Sequence, residues 1–366
     1  MFNYSVELPH GSSPTVDPSQ RALESTLHSI DIAGDFEETL SASASPTTGT
    51  WVAVKLSTLL PDPNSLWVLS DWIVRQHTDT DPQPQIPFPG APAAQDLQHF
   101  FQSNDDHNIT QHFQSLQNLH AHLRKICTRA RDRGIRLTID AEETWFQPAI
   151  DLFSVLLMQE FNSLKGQCST GTSKSKSGAR ALQPLVYATL QAYLVRAPTF
   201  LDFLIKHAKD NEYSLGVKLV RGAYIEAEVE VHRDRSIKSG SISPDKNPPT
   251  YPNKELTDAA YDNCVRVLVG EIARDVAGAR KVEGKTSLTP GIGVLFGTHN
   301  WKSSRLVLDE ILKVGLGKEV VDSNSMGVDT RIERKGVEKT KKIVLSEGVR
   351  QRVCMAQLYG KFLILS

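Results

Sequence analysis

Polar side chains stand at the ends of short apolar runs in this sequence. Val52-Ala53-Val54 is followed by Lys55, and Leu137-Thr138-Ile139 is followed by Asp140. Apolar runs of this length are typical of strands buried on both faces, where an unpartnered charge is costly. The residues that end or line the other runs are Gln191, Lys218, Arg221, Tyr224, Thr298-His299-Asn300 and Gln357-Leu358-Tyr359-Gly360.

The cationic members of this set indicate the kind of ligand. Lys55, Lys218, Arg221 and His299 suit an anionic partner, such as a phosphate-bearing cofactor or a carboxylate. Taken alone, a lysine at a strand end is often solvated, an aspartate there can cap a helix, and a histidine can be an ordinary surface residue. Six strand ends that each deliver a polar group predict a single site for a large, charged, polar-edged ligand.

Strands and helices must alternate to position these groups. Between the runs, helical spacing recurs, for example at Leu116, Leu119, Leu123 and Ile126, with Gly134 as a stop. Such alternation implies parallel strands joined by right-handed crossovers, in an open doubly wound sheet or a (βα)8 barrel. The absence of a GxGxxG pattern after the first strand favours the barrel. The predicted strands, one short of eight, are Phe2–Val6, Trp51–Leu56, Arg136–Ile139, Leu185–Ala192, Leu215–Val220, Ile292–Gly297 and Val353–Leu358.

Composition sets further limits on the 366-residue chain. Lys plus Arg (41) balance Asp plus Glu (42), which disfavours a nucleic-acid-binding protein. The four cysteines are far apart, so neither a disulfide framework nor a metal site is predicted. We expect one domain over residues 1–360, with flexible loops at 76–96 and 238–253 and a low-complexity insertion at 166–183. The charged run Arg331–Lys342 is expected to face solvent.

At the strand-end motifs the sequence resembles a known family. Val54-Lys55-Leu56-Ser57, the run from Asp140 to Ile150, Gln191 to Leu194, Lys218 to Tyr224, Thr298-His299-Asn300 and Gln357 to Gly360 occur in the order found in eukaryotic mitochondrial proline dehydrogenases. The resemblance implies a distorted (βα)8 barrel that carries non-covalent FAD over the strand ends. It also implies oxidation of L-proline to Δ1-pyrroline-5-carboxylate, with ubiquinone as electron acceptor at the mitochondrial inner membrane.

The resemblance implies a role for each matched residue. Lys55 would meet the proline carboxylate, Asp140 would support the pocket, and Lys218 would lie near flavin N5. Tyr224 and Leu358 would pack near the substrate ring. The remaining matched residues would contact the cofactor. Gln191 would contact the isoalloxazine ring, and the cofactor would be lined by Val220, Arg221, Gly222 and Ala223. The ribityl and pyrophosphate groups would be held by Thr298, His299 and Asn300.

The chain also departs from the family pattern. The family continues into an eighth strand and a last helix with an Arg-Arg pair that clamps the substrate carboxylate, and no Arg-Arg dipeptide occurs here. We therefore expect a chain truncated at both ends, with residues 361–366 as a tail outside the family pattern. No targeting presequence is expected either, since the first Lys or Arg is Arg21.

Two alternatives to an active proline dehydrogenase remain. An incomplete barrel could be a catalytically inactive remnant of the family. A Schiff-base aldolase on a (βα)8 barrel would also need a lysine at a strand end, and Lys55 or Lys218 would qualify.

Overall fold

The computed structural model describes residues 17–42, 49–78, 86–103, 107–164, 183–234, 240–281, 291–321, 341–345 and 352–356. Its helices are α1 (Pro18–Ala42), α2 (Asn64–Thr78), α3 (Asp96–Gln102), α4 (His107–Thr110), α5 (Phe113–Arg133), α6 (Gln147–Phe161), α7 (Ala197–Asp210), α8 (Ile225–Arg233), α9 (Lys254–Lys281) and α10 (Trp301–Lys313), with a 3-10 helix at Leu56–Leu59. Its strands are β1 (Trp51–Val54), β2 (Arg136–Ile139), β3 (Val186–Gln191), β4 (Leu215–Val220), β5 (Ile292–Gly297), β6 (Gly317–Val321), β7 (Lys341–Leu345) and β8 (Val353–Ala356).

Six of these strands form one parallel sheet, in the order β1-β2-β3-β4-β5-β8. Each step from β1 to β5 along the chain passes through at least one helix. The predicted α/β class and parallel pairing are therefore confirmed. Among the described residues, β1 and β8 are the two edges of the sheet and do not pair with each other, so these strands do not close a barrel.

The helices form where the apolar spacing predicts them. Leu116, Leu119, Leu123 and Ile126 are all buried on one face of α5. The helix ends at Gly134, whose φ of 70° is the left-handed conformation that glycine adopts without strain. Within the described residues, no helix combines the length and apolar character needed to cross a bilayer.

The amide of Asn162, just after α6, bridges the starts of β3 and β4. Its Nδ2 donates to the carbonyl oxygens of Val186 (2.8 Å) and Ser214 (3.0 Å). Its Oδ1 accepts from the N–H groups of Leu185 and Val186, both at 2.9 Å. The side chain thus satisfies backbone groups of two neighbouring segments and fixes where both strands begin.

Two features were not predicted from the sequence. One is the 25-residue helix α1 before β1; the predicted strand Phe2–Val6 lies outside the described residues. The antiparallel pair β6 and β7 was not predicted, and β7 takes up Lys341 and Lys342 from the charged run. Three of the five residues of β6 are polar or glycine, so its sequence lacks the apolar run used to find strands.

The predicted loops are described only in part. Helix α2 extends to Thr78 and residues 86–95 form an irregular segment before α3. Residues 240–253 are likewise mostly irregular. Nearly all of the predicted insertion at 166–183, the end of the last predicted strand with Leu358, and the tail at 361–366 lie outside the described residues.

Candidate active site at the carboxyl ends of the strands

The predicted side chains gather at one edge of the parallel sheet. Lys55 directly follows β1 and Asp140 directly follows β2, while Lys218 lies within β4. The Lys218 ammonium donates to Asp140 Oδ1 at 2.6 Å, across the intervening strand β3. Both side chains are mostly shielded, with 15% and 22% of their surfaces exposed. This charge-assisted bond holds two strands' functional groups together.

A second cluster forms around Lys55. Its Nζ lies 3.6 Å from Glu142 Oε2 and 5.8 Å from the centre of the Tyr224 ring. Partial burial works to lower the pKa of Lys55, but Glu142, Tyr224 and Glu143 together raise it above its ordinary value. Lys55 is therefore a cation, and 39% of its side chain remains exposed to meet an anion.

The carboxylate of Glu142 is almost fully buried beneath Lys55. Its Oε1 accepts from the backbone N–H of Ser57 at 3.0 Å. Burial raises the pKa of Glu142, although the bond from Ser57 and the charge of Lys55 oppose the shift. Burial likewise raises the pKa of Tyr224, with Lys55 acting in the opposite direction. Tyr224 therefore keeps its phenolic proton at neutral pH.

Gln191 ends β3 between these clusters. Its Nε2 donates to the Glu142 carbonyl oxygen at 3.3 Å and to the Tyr193 hydroxyl at 3.2 Å. Its Oε1 is buried, and no described group bonds to it. A buried acceptor without a donor costs free energy. The edge of the sheet therefore offers an acceptor that a bound molecule with an N–H or O–H group could satisfy.

Arg221, after β4, is held by side chains on three sides. Its guanidinium donates to Asp258 (2.7 Å), Thr298 (2.8 Å) and Ser303 (2.8 Å). The same group lies 4.4 Å from the centre of the Tyr261 ring. With its donors engaged in this way, Arg221 fixes the segments after β4 and β5 relative to each other.

The backbone beside Arg221 needs glycine. Gly222 has a φ of +125°, a conformation that side chains of other residues rarely adopt. A Cβ at this position would lie 1.5 Å from Cδ1 of Tyr193, far inside contact distance. The ring of Tyr193 therefore packs directly against the backbone between Arg221 and the exposed Ala223.

The remaining predicted residues take different positions. Val220, the last residue of β4, is partly buried, and Asn300 caps α10 by accepting from the Lys302 N–H at 2.9 Å. Thr298 is buried, whereas His299 is exposed. Leu358 lies outside the described residues. The structure thus brings Lys55, Asp140, Gln191 and Lys218 to one edge, with Arg221 and Thr298 beside them.

Sequence reasoning did not assign four further residues of this edge, which are Glu142, Thr144, Tyr193 and Glu228. Glu228 lies one helical turn after Tyr224, and its carboxylate accepts from both the N–H and the hydroxyl of Thr144. The i, i+4 spacing from Tyr224 could have placed Glu228 on the same side of α8. Its bond to Thr144 spans 84 positions in sequence, and no local pattern reveals it.

The residues fit a flavin in several respects. The unpaired Gln191 Oε1 can accept from a flavin ring N–H, and Lys218 supplies positive charge at the same edge. Arg221 and Asn300 would act mainly by shaping the edge, because their polar groups already bond within the protein. The residues that would hold such a group are therefore Gln191 and Lys218.

The fold and the site together define an α/β protein with a charged ligand site at the carboxyl ends of parallel strands. A sequence profile of the proline dehydrogenase family matches residues 2–328, and the chain belongs to that family. The resemblance seen in the strand-end motifs is confirmed. The family is one of oxidoreductases that act in proline catabolism.

Individual relatives are more distant. The chain is 29% identical over 204 residues to proline dehydrogenase 2, mitochondrial, of Arabidopsis thaliana, a match that covers 56% of this chain and 35% of that protein. It is 26% identical over 252 residues to hydroxyproline dehydrogenase of Rattus norvegicus, covering 69% of this chain and 47% of that protein. The chain therefore spans only about a third to a half of these relatives.

Among solved structures, proline utilization A of Bradyrhizobium japonicum is similar over 80% of this chain and 21% of that one. The TM-score is 0.46 and the sequence identity 19%.

Proposed function

We propose that this chain is an FAD-dependent proline dehydrogenase, which oxidises L-proline to Δ1-pyrroline-5-carboxylate. The observation that carries the proposal is the pair of lysines, Lys55 and Lys218, fixed by carboxylates at one edge of the sheet. The proline carboxylate would bind at Lys55, whose side chain is 39% exposed. The proline ring would lie toward Tyr224 and Leu358.

The protein's own groups would orient and polarise the substrate. In the reaction a C–H bond next to the ring nitrogen breaks, the nitrogen loses a proton, and a C=N bond forms. When bound, an FAD would accept the hydride. Lys218 would stabilise negative charge at the edge that holds the cofactor, and Asp140 would keep Lys218 in place. Gln191 would fix the position of the cofactor ring through its unpaired Oε1.

The electron acceptor and the cellular location follow the family resemblance. We propose ubiquinone as the acceptor and the mitochondrion as the compartment, with contact at the inner membrane, because five of the similar proteins are named as mitochondrial. A Schiff-base aldolase is disfavoured. Such an enzyme needs a neutral lysine amine, whereas the pKa of Lys55 is raised and Lys218 is ion-paired.

The visible spectrum of the purified protein, after incubation with FAD, tests the proposal. We expect the absorption bands of oxidised flavin to survive gel filtration and to bleach when L-proline is added without oxygen. Lys55→Met should slow bleaching at low proline, while Lys206→Met, a change at a lysine exposed on α7, should not. A colourless protein would support the inactive remnant, and a yellow protein indifferent to proline would refute the assigned substrate.

A further inference from the structure

Helix α8 carries a buried carboxylate for which the proposed reaction has no use. Only 2% of Glu228 is exposed, and Thr144 is completely buried. Glu228 Oε1 accepts from the Thr144 N–H at 2.7 Å, and Oε2 accepts from the Thr144 hydroxyl at 2.5 Å. One side chain thus holds one residue of a distant segment by two bonds.

Burying this carboxyl group costs free energy, and packing alone does not explain its presence here. Among the described residues no basic side chain forms an ion pair with Glu228, so only hydrogen bonds stabilise this carboxyl group in its buried position. The titratable groups that interact electrostatically with Glu228 are Glu143 and Tyr193, and neither is a cation. A buried apolar residue would cost less at this position unless the bonds to Thr144 matter.

The two segments that Glu228 joins are the ones that carry the cluster around Lys55. Glu228 N–H donates to the Tyr224 carbonyl oxygen at 2.9 Å, so Glu228 and Tyr224 share the first turn of α8. Thr144 follows Glu142 and Glu143 in the segment between β2 and α6. Glu142 is held separately by its bonds with Ser57, Gln147 and Gln191. The bond between Glu228 and Thr144 therefore acts mainly on Tyr224, whose position beside Lys55 depends on where α8 begins.

The Lys218–Asp140 pair does not depend on that bond. The Asp140 N–H donates to the Val54 carbonyl oxygen at 2.9 Å, which continues the pairing of β1 and β2 and fixes Asp140 to the sheet. The segment held by Glu228 begins only beyond this anchor. A change at Glu228 should therefore move Tyr224 relative to Lys55 and Glu142 and leave Lys218 and Asp140 in place.

From these contacts we propose that Glu228 is a positioning residue that clamps residues 141–146 to α8 and so sets the position of Tyr224 beside Lys55 and Glu142. The proposal rests on the proposed function in taking this cluster as the carboxylate-binding part of the site. Losing the clamp weakens substrate binding and leaves the reaction of bound substrate nearly unchanged.

The test compares Glu228→Ala, Glu228→Gln, and Glu230→Ala as a matched control at an exposed glutamate of the same helix. In Glu228→Ala we expect KM for L-proline to rise at least ~10-fold, with kcat within ~3-fold of the parent, as for a lost binding interaction. Glu228→Gln still offers an oxygen to the Thr144 N–H, so most of the affinity should return. Glu230→Ala should behave as the parent.

Hydrogen exchange of residues 141–146 supplies a readout that does not need activity. Exchange should be faster in Glu228→Ala than in Glu228→Gln or Glu230→Ala. Equal exchange in all four proteins overturns the clamp, as does faster exchange with an unchanged KM. Should Glu228→Ala not fold, Thr144→Val and Thr144→Ser provide the same comparison. If the parent itself fails to oxidise proline, the proposed function falls, and exchange still decides whether the clamp exists.

Discussion

Replacing Arg196 by methionine should show how much a buried ion pair contributes to the free energy of unfolding. The side chains of Arg196 and Asp151 are only 3% and 4% exposed, and Arg196 Nη2 donates to Asp151 Oδ2 at 2.6 Å. Arg196 Nη1 also donates to the Gly90 carbonyl oxygen at 2.5 Å, and its guanidinium lies 4.0 Å from the centre of the Phe200 ring. Methionine keeps the apolar stem and removes the charge.

The expected loss follows from what the substitution leaves behind. Removing one partner of a buried pair costs ~3–5 kcal/mol, because the remaining charge stays buried without compensation. We therefore expect Arg196→Met to lower the free energy of unfolding by ~4 kcal/mol at pH 8. Burial already raises the pKa of Asp151 and Arg196 opposes the shift, so the variant's Asp151 pKa rises further. A carboxyl group whose pKa is raised in the folded state stabilises the fold when it is protonated. The variant should therefore lose less of its free energy of unfolding at pH 5.5 than at pH 8.

Urea denaturation followed by circular dichroism at the two pH values measures both effects. The double variant Arg196→Met with Asp151→Leu provides the control, because it removes both charges. It should be more stable at pH 8 than Arg196→Met alone. The reasoning would be refuted if Arg196→Met lowered the free energy of unfolding by less than ~1 kcal/mol at both pH values. It would also be refuted if the double variant lost as much stability as the two single variants together.

Three further outcomes are expected. Gly222→Ala should lower the free energy of unfolding by ~2–5 kcal/mol, because the new methyl group collides with Tyr193 and a φ of +125° is strained for alanine. Urea titrations measure this loss, and an unchanged midpoint of urea unfolding would contradict the prediction. Burial raises the pKa of Glu228 from 4.5 to about 7. The free energy of unfolding of the parent should therefore fall by ~3 kcal/mol relative to that of Glu228→Gln as the pH rises from 4.5 to 7. Parallel pH profiles of the two proteins would contradict this prediction. Lys218→Ala should slow flavin reduction by saturating proline ~10²-fold in stopped-flow measurements, and an unchanged rate would remove the assigned role.

Much of this architecture could be predicted because it depends on local pattern. The runs that became β2, β4 and β5 have the predicted bounds, and the stop at Gly134 follows from the conformational freedom of one residue. The pair β6 and β7 was missed because its strands are short and partly polar, and because a segment of 19 residues separates them.

The residues of the candidate site likewise fall into those that local sequence pattern reveals and those that it does not. Lys55, Asp140 and Lys218 could be found because strand ends in a parallel sheet meet at one edge. The functions assigned to them stay predictions. Thr144 and Glu228 could not be found, since their bond joins segments 84 residues apart and neither residue type is unusual where it stands. Sequence patterns show which residues reach an edge, and tertiary contacts decide which of them fix one another.

The amide of Asn162 has a consequence for how this fold tolerates change in length. Its four bonds set the starts of β3 and β4 from the end of α6, and the Leu164 N–H donates to the Glu212 carbonyl oxygen at 3.2 Å beside them. Strand register here is thus independent of the number of residues between Leu164 and Gln183. We therefore expect that a change in the number of residues in that interval leaves Gln191, 29 positions downstream of Asn162, at its place along the sheet.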